Sequence, residues 1–101
     1  MAIEFLSDVN FHEIIQNKEI ALIDFYASWC GHCKMLSVVL EQIAKENPQL
    51  FIGKVNIDFE KEIAKEYDVW TMPTLIVFKK GKEVKRHLGY LAKERILELI
   101  K

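Results

Sequence analysis

The chain has few of the residues that mark special architectures. Its 101 residues include only two cysteines, two prolines and four glycines. It contains no repeat, no linker and no low-complexity tract. It also lacks long hydrophobic runs, because no stretch approaches the roughly 18 apolar residues of a transmembrane helix. These absences favour one ordinary globular domain over a fibrous, disordered or membrane-spanning chain.

An excess of charge of one sign is also missing. Fourteen basic residues face 15 acidic ones, and the formal net charge is −1. This balance gives no electrostatic reason to expect nucleic acid or a membrane surface as a partner. The first ten residues, MAIEFLSDVN, lack the basic and apolar regions of a signal peptide. We therefore expect a cytoplasmic protein, in a compartment that keeps thiols reduced.

Apolar segments alternate with amphipathic ones along the chain. Hydrophobic residues make up 50% of the sequence, enough for one core without covalent staples. The predicted elements are a minor strand near Ile3, a helix over Phe11–Gln16, a strand over Ile20–Ala27, a helix from Cys30 to Asn47, a strand over Leu50–Ile57, a helix over Asp58–Tyr67, a strand over Thr74–Phe78, a strand over Glu83–Leu88 and a last helix through Ile96 and Ile100. This β-α-β-α-β-α-β-β-α order predicts an α/β fold. A central sheet of four to five strands, with a parallel core and a final antiparallel hairpin at Lys80-Gly81, would carry helices on both faces.

Three local signals predict how the short helices begin. Asn10 and Glu13 have the spacing of a capping box, and Val9 and Ile14 have that of a hydrophobic staple. Asp58 is placed to cap the helix that follows the third strand.

The two cysteines, Cys30 and Cys33, are three residues apart at the predicted start of a helix. At this spacing their sulfur atoms can bond without large backbone movement, and Gly31 eases the tight turn into the helix. A purely structural crosslink would add little stability, because the loop that it closes is very short. A structural zinc site needs four ligands, and only His32 is close in sequence, so we expect no metal.

A redox centre has a mechanism at this position. The free amides of a helix N-terminus favour negative charge, so they stabilise the reactive thiolate of Cys30. A protonated His32 would add a second positive influence on that thiolate. The other histidines, His12 and His87, have no ligand partner nearby in sequence and are predicted to be solvated.

Four segments resemble the thioredoxin family over nearly the whole chain. WCGHCK (Trp29–Lys34), preceded by DFYAS, resembles the active-site segment of the family. KVNID (Lys54–Asp58) resembles its third strand, MPTLIVFKKGKEV (Met72–Val84) its cis-proline strand and hairpin, and GYLAKERILELI (Gly89–Ile100) its last helix. The resemblance implies a single thioredoxin domain over residues 1–101 and a thiol–disulfide oxidoreductase that reduces disulfides in proteins.

The resemblance also implies roles for four residues of the reaction. Cys30 would attack a target disulfide and Cys33 would resolve the mixed disulfide, leaving a Cys30–Cys33 disulfide. Asp24, an acid inside an apolar strand, corresponds to a buried acid that assists proton transfer at the resolving cysteine, and burial should raise its pKa. Lys54 corresponds to the lysine that partners this acid.

A second set of residues would form the substrate-docking surface. Pro73 corresponds to the cis-proline of the family, which leaves the backbone of Met72 free to pair with an extended substrate. Trp29 and Gly89 complete a flat apolar surface by resemblance. We add Trp70 to this surface because of its place in the loop before Pro73.

The residues between the cysteines depart from the usual Gly-Pro of the family. Gly31-His32 is the pair found in protein disulfide isomerases, and His32 should raise the reduction potential. An isomerase-like or oxidising protein is therefore an alternative to the reductase. A further alternative is a non-catalytic binding subunit, such as a dimer that holds an iron–sulfur cluster on Cys30 and Cys33 of two chains.

The resemblance finally implies how a reductase of this kind is supplied with electrons. No cofactor would be bound, and electrons would come from NADPH through a thioredoxin reductase. The other partners would be disulfide-containing target proteins, and the chain would be a monomer.

Overall fold

The structure is a computed structural model that describes residues 3–101. Its elements are β1 (Ile3–Phe5), α1 (Phe11–Gln16), β2 (Ile20–Tyr26), α2 (Gly31–Glu46), β3 (Phe51–Asn56), α3 (Lys61–Glu66), β4 (Thr74–Lys79), β5 (Lys82–Leu88) and α4 (Lys93–Leu99). The order is the one that the sequence predicts. Most boundaries agree within two residues, but α3 starts three residues later than expected.

The five strands form one mixed sheet in the order β1-β3-β2-β4-β5. β1, β3 and β2 are parallel, whereas β4 runs antiparallel to β2 and β5 antiparallel to β4. The expectation of a parallel core is therefore right for three strands and wrong for β4. β2 lies in the middle, and its residues from Ala21 to Phe25 are fully buried, as their nearly continuous apolar sequence predicts.

The predicted hairpin turn joins β4 to β5 with the two residues Lys80 and Gly81. Their φ angles are +50° and +83°, as a two-residue type I′ turn requires. A side chain at Gly81 would also stand 3.1 Å from the backbone of Gln16. Glycine therefore fits this turn both for its conformation and for its lack of a side chain.

Two layers of apolar side chains cover the sheet. The face under α1 and α3 contains a cluster with several aromatic rings, including Phe11, Phe25, Phe78 and Tyr67. The face under α2 and α4 is built from aliphatic residues: Leu22, Leu36, Leu40, Ile43, Ile52, Leu75, Val77 and Ile96. Because side chains alternate along a strand, Asp24 points to the same face as Leu22, the face that α2 covers.

The predicted capping box and staple at α1 are both wrong. Asn10 has helical backbone angles (φ −109°, ψ −2°) and makes no side-chain bond to the helix. Its Oδ1 instead accepts a hydrogen bond from the Ser7 amide at 2.9 Å. Val9 is 93% exposed, so it cannot staple Ile14.

The predicted cap of α3 by Asp58 is also wrong. The cap comes from Asp8, 54 and 55 residues away, whose carboxylate accepts from the amides of Glu62 at 3.3 Å and Ile63 at 2.9 Å. In return, the Asp8 amide donates to the Glu60 side chain at 2.8 Å. This reciprocal arrangement has the logic of a capping box, but a distant loop supplies one half of it.

Candidate active site

The two cysteines form a disulfide at the N-terminus of α2. Cys30 is the N-cap residue, with extended backbone angles, and Cys33 lies in the first turn, 5.2 Å away between Cα atoms. The sulfur of Cys30 accepts a hydrogen bond from the Cys33 amide at 3.1 Å. An amide donor that points at sulfur stabilises negative charge on it, so the helix start suits a Cys30 thiolate.

Both cysteines are buried, Cys30 slightly less than Cys33. Cys30 is 8% exposed and Cys33 is 3% exposed, and they pack with Ala27, Tyr26 and Met72. The order in which the two cysteines attack and resolve stays a prediction of the resemblance.

The residues between the cysteines face solvent. His32 is exposed on the first turn of α2. Gly31 is exposed and helical, and apart from its chain neighbours and the adjacent helix backbone no described atom lies within 4 Å of the position that a side chain would occupy. The structure therefore shows no steric need for glycine at this turn.

Asp24 is fully buried on the sheet face that α2 covers. Among residues 3–101, neither of its carboxylate oxygens has a hydrogen-bond partner. Burial raises the pKa of Asp24 from 3.8 to about 7, although the positive charge of Lys54 opposes the rise. A carboxyl group with such a pKa can both accept and release a proton near neutral pH.

Lys54 lies beside Asp24 in the register of β2 and β3 and is only 8% exposed. Its Nζ atom is 4.0 Å from Asp24 Oδ2, too far for a hydrogen bond. The same atom donates to Ser37 Oγ at 2.6 Å and lies 4.7 Å from the centre of the Tyr26 ring. Sequence reasoning missed Ser37, although its place four residues after Cys33 on one helix face could have suggested it.

A cis peptide bond joins Met72 to Pro73, as the sequence predicts. Met72 packs against the two cysteines, and its backbone groups have no hydrogen bond to other backbone groups within residues 3–101. Gly89 follows β5 with a φ of +95°, and its amide donates to the Pro73 carbonyl at 2.7 Å. Met72 therefore adjoins the disulfide, and the Pro73–Gly89 hydrogen bond follows it directly in the chain.

Both tryptophans are on the surface. Trp29 is 72% exposed and Trp70 is 77% exposed. Their indole nitrogens donate to carboxylates, Trp29 to Asp58 at 3.5 Å and Trp70 to Asp68. Asp58 and Trp70 line a mainly apolar groove of about 340 Å³. Large exposed indoles held in place by hydrogen bonds are suited to contact a partner.

The remaining histidines are outside this site. His12 lies on α1, and its Nε2 atom is in exposed hydrogen-bond contact with Glu66 Oε1 at 2.8 Å. His87 lies on β5, with its ring 3.3 Å from the Tyr90 carbonyl. Neither histidine is hydrogen-bonded to a cysteine, and both are far from the cysteines in sequence.

The family model named Thioredoxin matches residues 2–101, which include both cysteines and the cis-proline. The chain belongs to the thioredoxin family.

Individual relatives agree with this membership. The thioredoxin of Chlamydia trachomatis is 46% identical over 98 residues, which cover 97% of this chain and 95% of that protein. A bifunctional thioredoxin reductase/thioredoxin of Mycobacterium leprae is 41% identical over 86% of this chain and 19% of its own length. Among solved structures, the thioredoxin of Plasmodium falciparum superposes with a TM-score of 0.88. It is 31% identical, and the match covers 96% of this chain and 95% of that one.

The family and the disulfide at its active-site position define the chemistry. The protein is a thiol–disulfide oxidoreductase that reduces disulfides in proteins by dithiol exchange. Thioredoxins need no bound cofactor for this reaction. The predicted thioredoxin fold is confirmed: the central mixed sheet, expected with four to five strands, has five, and helices cover both of its faces. No helix within residues 3–101 is both long and apolar enough to cross a bilayer.

Proposed function

We propose that the protein is a general reductase of target proteins, in which Cys30 attacks and Cys33 resolves. The observation that carries this proposal is the disulfide at the start of α2, with the Cys33 amide directed at the Cys30 sulfur. That amide favours the thiolate on Cys30, the slightly more exposed of the two residues.

The proposed reaction has two exchanges. The Cys30 thiolate attacks one sulfur of a target disulfide; a new S–S bond forms, and the other target sulfur leaves as a thiolate. The Cys33 thiolate then attacks the Cys30 sulfur, the mixed disulfide breaks, and the second target sulfur leaves. Two electrons pass to the target, two protons complete its thiols, and the protein ends as the disulfide.

Asp24 is proposed as the proton acceptor that converts the Cys33 thiol to its thiolate. It lies on the sheet face covered by α2, and its pKa of about 7 suits proton exchange at neutral pH. Within residues 3–101 no charged group donates a hydrogen bond to it, so both oxygens remain available for a proton. Lys54, 4.0 Å away, is proposed to moderate this pKa.

Target proteins are proposed to dock across the edge of the disulfide. The backbone of Met72, which is unpaired within the described chain, can accept an extended target segment in the manner of strand addition. Pro73 and Gly89 would lie next to the bound segment. The exposed rings of Trp29 and Trp70 would supply apolar contact. Backbone pairing and apolar contact suit many target sequences, as a general reductase requires.

The electron source is proposed to be NADPH, used through a thioredoxin reductase. The Mycobacterium leprae relative supports this, because its name combines a thioredoxin reductase with a thioredoxin in one chain. We propose that this chain acts as a single-domain monomer in the cytoplasm and supplies electrons for redox homeostasis. The test is turnover of a disulfide-bonded protein with NADPH and a purified bacterial thioredoxin reductase. Absence of NADPH consumption would remove this part of the proposal.

His32 gives a specific reason to keep an isomerase-like function as the second candidate. Its exposed ring stands between the cysteines, where the positive form would stabilise a reduced Cys30 thiolate. A more stable reduced form raises the reduction potential and makes the protein a weaker reductant.

The reduction potential of the Cys30–Cys33 pair separates the two candidates. It is measured by equilibration against glutathione mixtures, followed by alkylation of the free thiols. We expect a potential above that of the His32→Pro variant. A value near −270 mV, about that of thioredoxins, supports the reductase, and one near −180 mV, about that of protein disulfide isomerase, supports isomerisation. An unchanged potential in His32→Pro would exclude a tuning role for this histidine.

A further inference from the structure

We propose that Ser37 is a positioning residue, whose hydroxyl holds the Lys54 ammonium group beyond hydrogen-bond distance of Asp24. This inference rests on the proposed role of Asp24 and extends it to a side chain in the second turn of α2. It assigns to Ser37 an influence on the proton equilibrium of Asp24.

The contacts of Lys54 show which group holds it. An ammonium group has three N–H donors and no acceptor. The Lys54 Nζ atom directs one donor at Ser37 Oγ, at 2.6 Å, and faces the ring of Tyr26 at 4.7 Å. The carboxylate of Asp24 would be the strongest acceptor available, yet it is 4.0 Å away and makes no hydrogen bond within residues 3–101. The ammonium group is therefore held by a hydroxyl and a ring rather than by the carboxylate.

The position of Ser37 explains why this residue can act. It lies four residues after Cys33, so it projects from the same side of α2 toward the sheet. The neighbouring buried residues of α2 on this side, Leu36 and Leu40, offer no acceptor. Ser37 and Lys54 also line a groove of about 550 Å³ between α2 and β1, whereas Asp24 is fully buried. The pair thus stands between Asp24 and solvent on this side.

The other groups around Asp24 do not replace this control. On β3 the charged group is Lys54 itself, and on β2 the titratable neighbour on the same face is Tyr26. The register partner on β4 is the apolar Leu75. From α2, the charged residues that line the groove beside Lys54 are Glu41 and Lys45, and both are exposed to solvent. Burial is the larger influence on the pKa of Asp24, and Lys54 is the charged neighbour that opposes it. The placement of this one ammonium group therefore sets how far the charge offsets the burial.

Removal of the hydroxyl should let Lys54 move onto Asp24. In Ser37→Ala the ammonium group loses its 2.6 Å acceptor, and the nearest remaining anion is the carboxylate. A direct pair favours the ionised acid, and an adjacent opposite charge lowers a carboxyl pKa by about 1–3 units. We expect the pKa of Asp24 to fall by at least about one unit, a tenfold change in its ionisation equilibrium. Ser37→Thr, which keeps the hydroxyl, should leave it close to that of the unmodified protein.

The experiment is a carbon-13 NMR titration of the Asp24 carboxyl group in the oxidised protein. The two Ser37 variants are repeated with Lys54→Met in the same chain. If Ser37 acts through Lys54, Ser37→Ala has no effect once Lys54 is Met, which a merely structural role would not produce. An unchanged or raised pKa in Ser37→Ala, or a fall that persists with Lys54→Met, would overturn the inference. Because the titration uses the resting disulfide, this result is independent of whether Cys30 reduces targets.

Discussion

The two faces of the sheet carry different kinds of side chain. Under α1 and α3, the rings of Phe11, Phe25, Phe78 and Tyr67 lie in pairs with centroids 5.2–6.2 Å apart. Under α2 and α4, the packing is aliphatic, and this face holds Asp24, the fully buried acid. One face therefore contributes packing energy, while the other combines packing with a charge that is costly to bury.

This difference teaches where a small protein can place a reactive site. A carboxyl group whose pKa is shifted by burial destabilises the folded state whenever it is ionised. The cost falls on the face covered by α2, the helix that starts at the cysteines, and the aromatic face remains free of buried charge among residues 3–101. Substitutions on the two faces should therefore affect different properties, and four variants test this.

The largest effect is expected at Cys30. Cys30→Ser removes the nucleophile, so the rate of target reduction should fall by about 10³-fold or more. Stability should change little, because the disulfide closes a very short loop. Cys33→Ser is the matched variant: it should complete the first exchange and accumulate a mixed disulfide, visible by mass spectrometry. Turnover by Cys30→Ser within tenfold of the unmodified protein would contradict the proposed order.

The next effect is on stability and belongs to the aromatic face. Phe11 is fully buried among three rings, so Phe11→Ala should lower the free energy of unfolding by about 3–5 kcal/mol. Urea denaturation gives this value, with Phe59→Ala as the control, because Phe59 is 75% exposed and should change it by less than about 0.5 kcal/mol. The turnover of folded protein should be unchanged. A strong loss of turnover per folded molecule would show that the faces are not separate in function.

Asp24→Asn should act in the opposite direction on stability. The folded state holds the proton of Asp24 up to about pH 7, whereas the unfolded chain releases it near 3.8. Stability is therefore lost as the pH rises from about 4 to 7, and the full loss is present above pH 7. The variant removes this loss, so its free energy of unfolding should exceed that of the unmodified protein by about 2–4 kcal/mol at pH 8.

Urea denaturation of Asp24→Asn at several pH values checks both the sign and the window. The gain should vanish below pH 4, where both forms of the protein are neutral at this position. The control is Phe59→Ala, at an exposed side chain that does not titrate, whose stability difference from the unmodified protein should not change with pH. A destabilised Asp24→Asn at pH 8 would show that the charged pair with Lys54 is worth more than the burial costs.

The smallest effect is expected at the loop that attaches α3 to the aromatic face. Asp8→Ala removes the acceptor for two free amides of α3, so the free energy of unfolding should fall by about 1 kcal/mol. Asp8→Asn keeps one acceptor oxygen and should recover much of this loss. Both variants should reduce targets at the normal rate. Equal stability of the alanine and asparagine variants would mean that the cap contributes little.

Much of the fold could be predicted because its signals are local. The apolar run of β2, the helical spacing of Leu36 and Leu40, and the Lys80-Gly81 turn each depend on residues close in sequence. The sequence also located the cysteines at a helix start, because a strand ends immediately before them. The cis bond at Pro73 was predicted in a different way, through resemblance to the family.

The errors occurred where a side chain has a partner other than the one that its spacing suggested, a nearby turn in one case and a distant loop in the other. Asn10 has the spacing of a cap, yet its side chain accepts a hydrogen bond from the Ser7 amide in the preceding turn. Asp58 has the position of a cap, but α3 starts later and takes its cap from Asp8. Side-chain hydrogen bonds of this kind depend on which loops meet in space, and sequence spacing alone does not contain that information.

The sequence by itself determined the order of the elements, the face that each presents to the core and the pair of cysteines at the start of α2. Periodicity and composition decide these features, since they act over a few neighbouring residues. Only the tertiary structure decided that β4 is antiparallel to β2, that Asp8 caps α3 and that Lys54 donates to Ser37 rather than to Asp24. The last two contacts join residues 55 and 17 positions apart. Their geometry exists only after the helices have packed on the sheet.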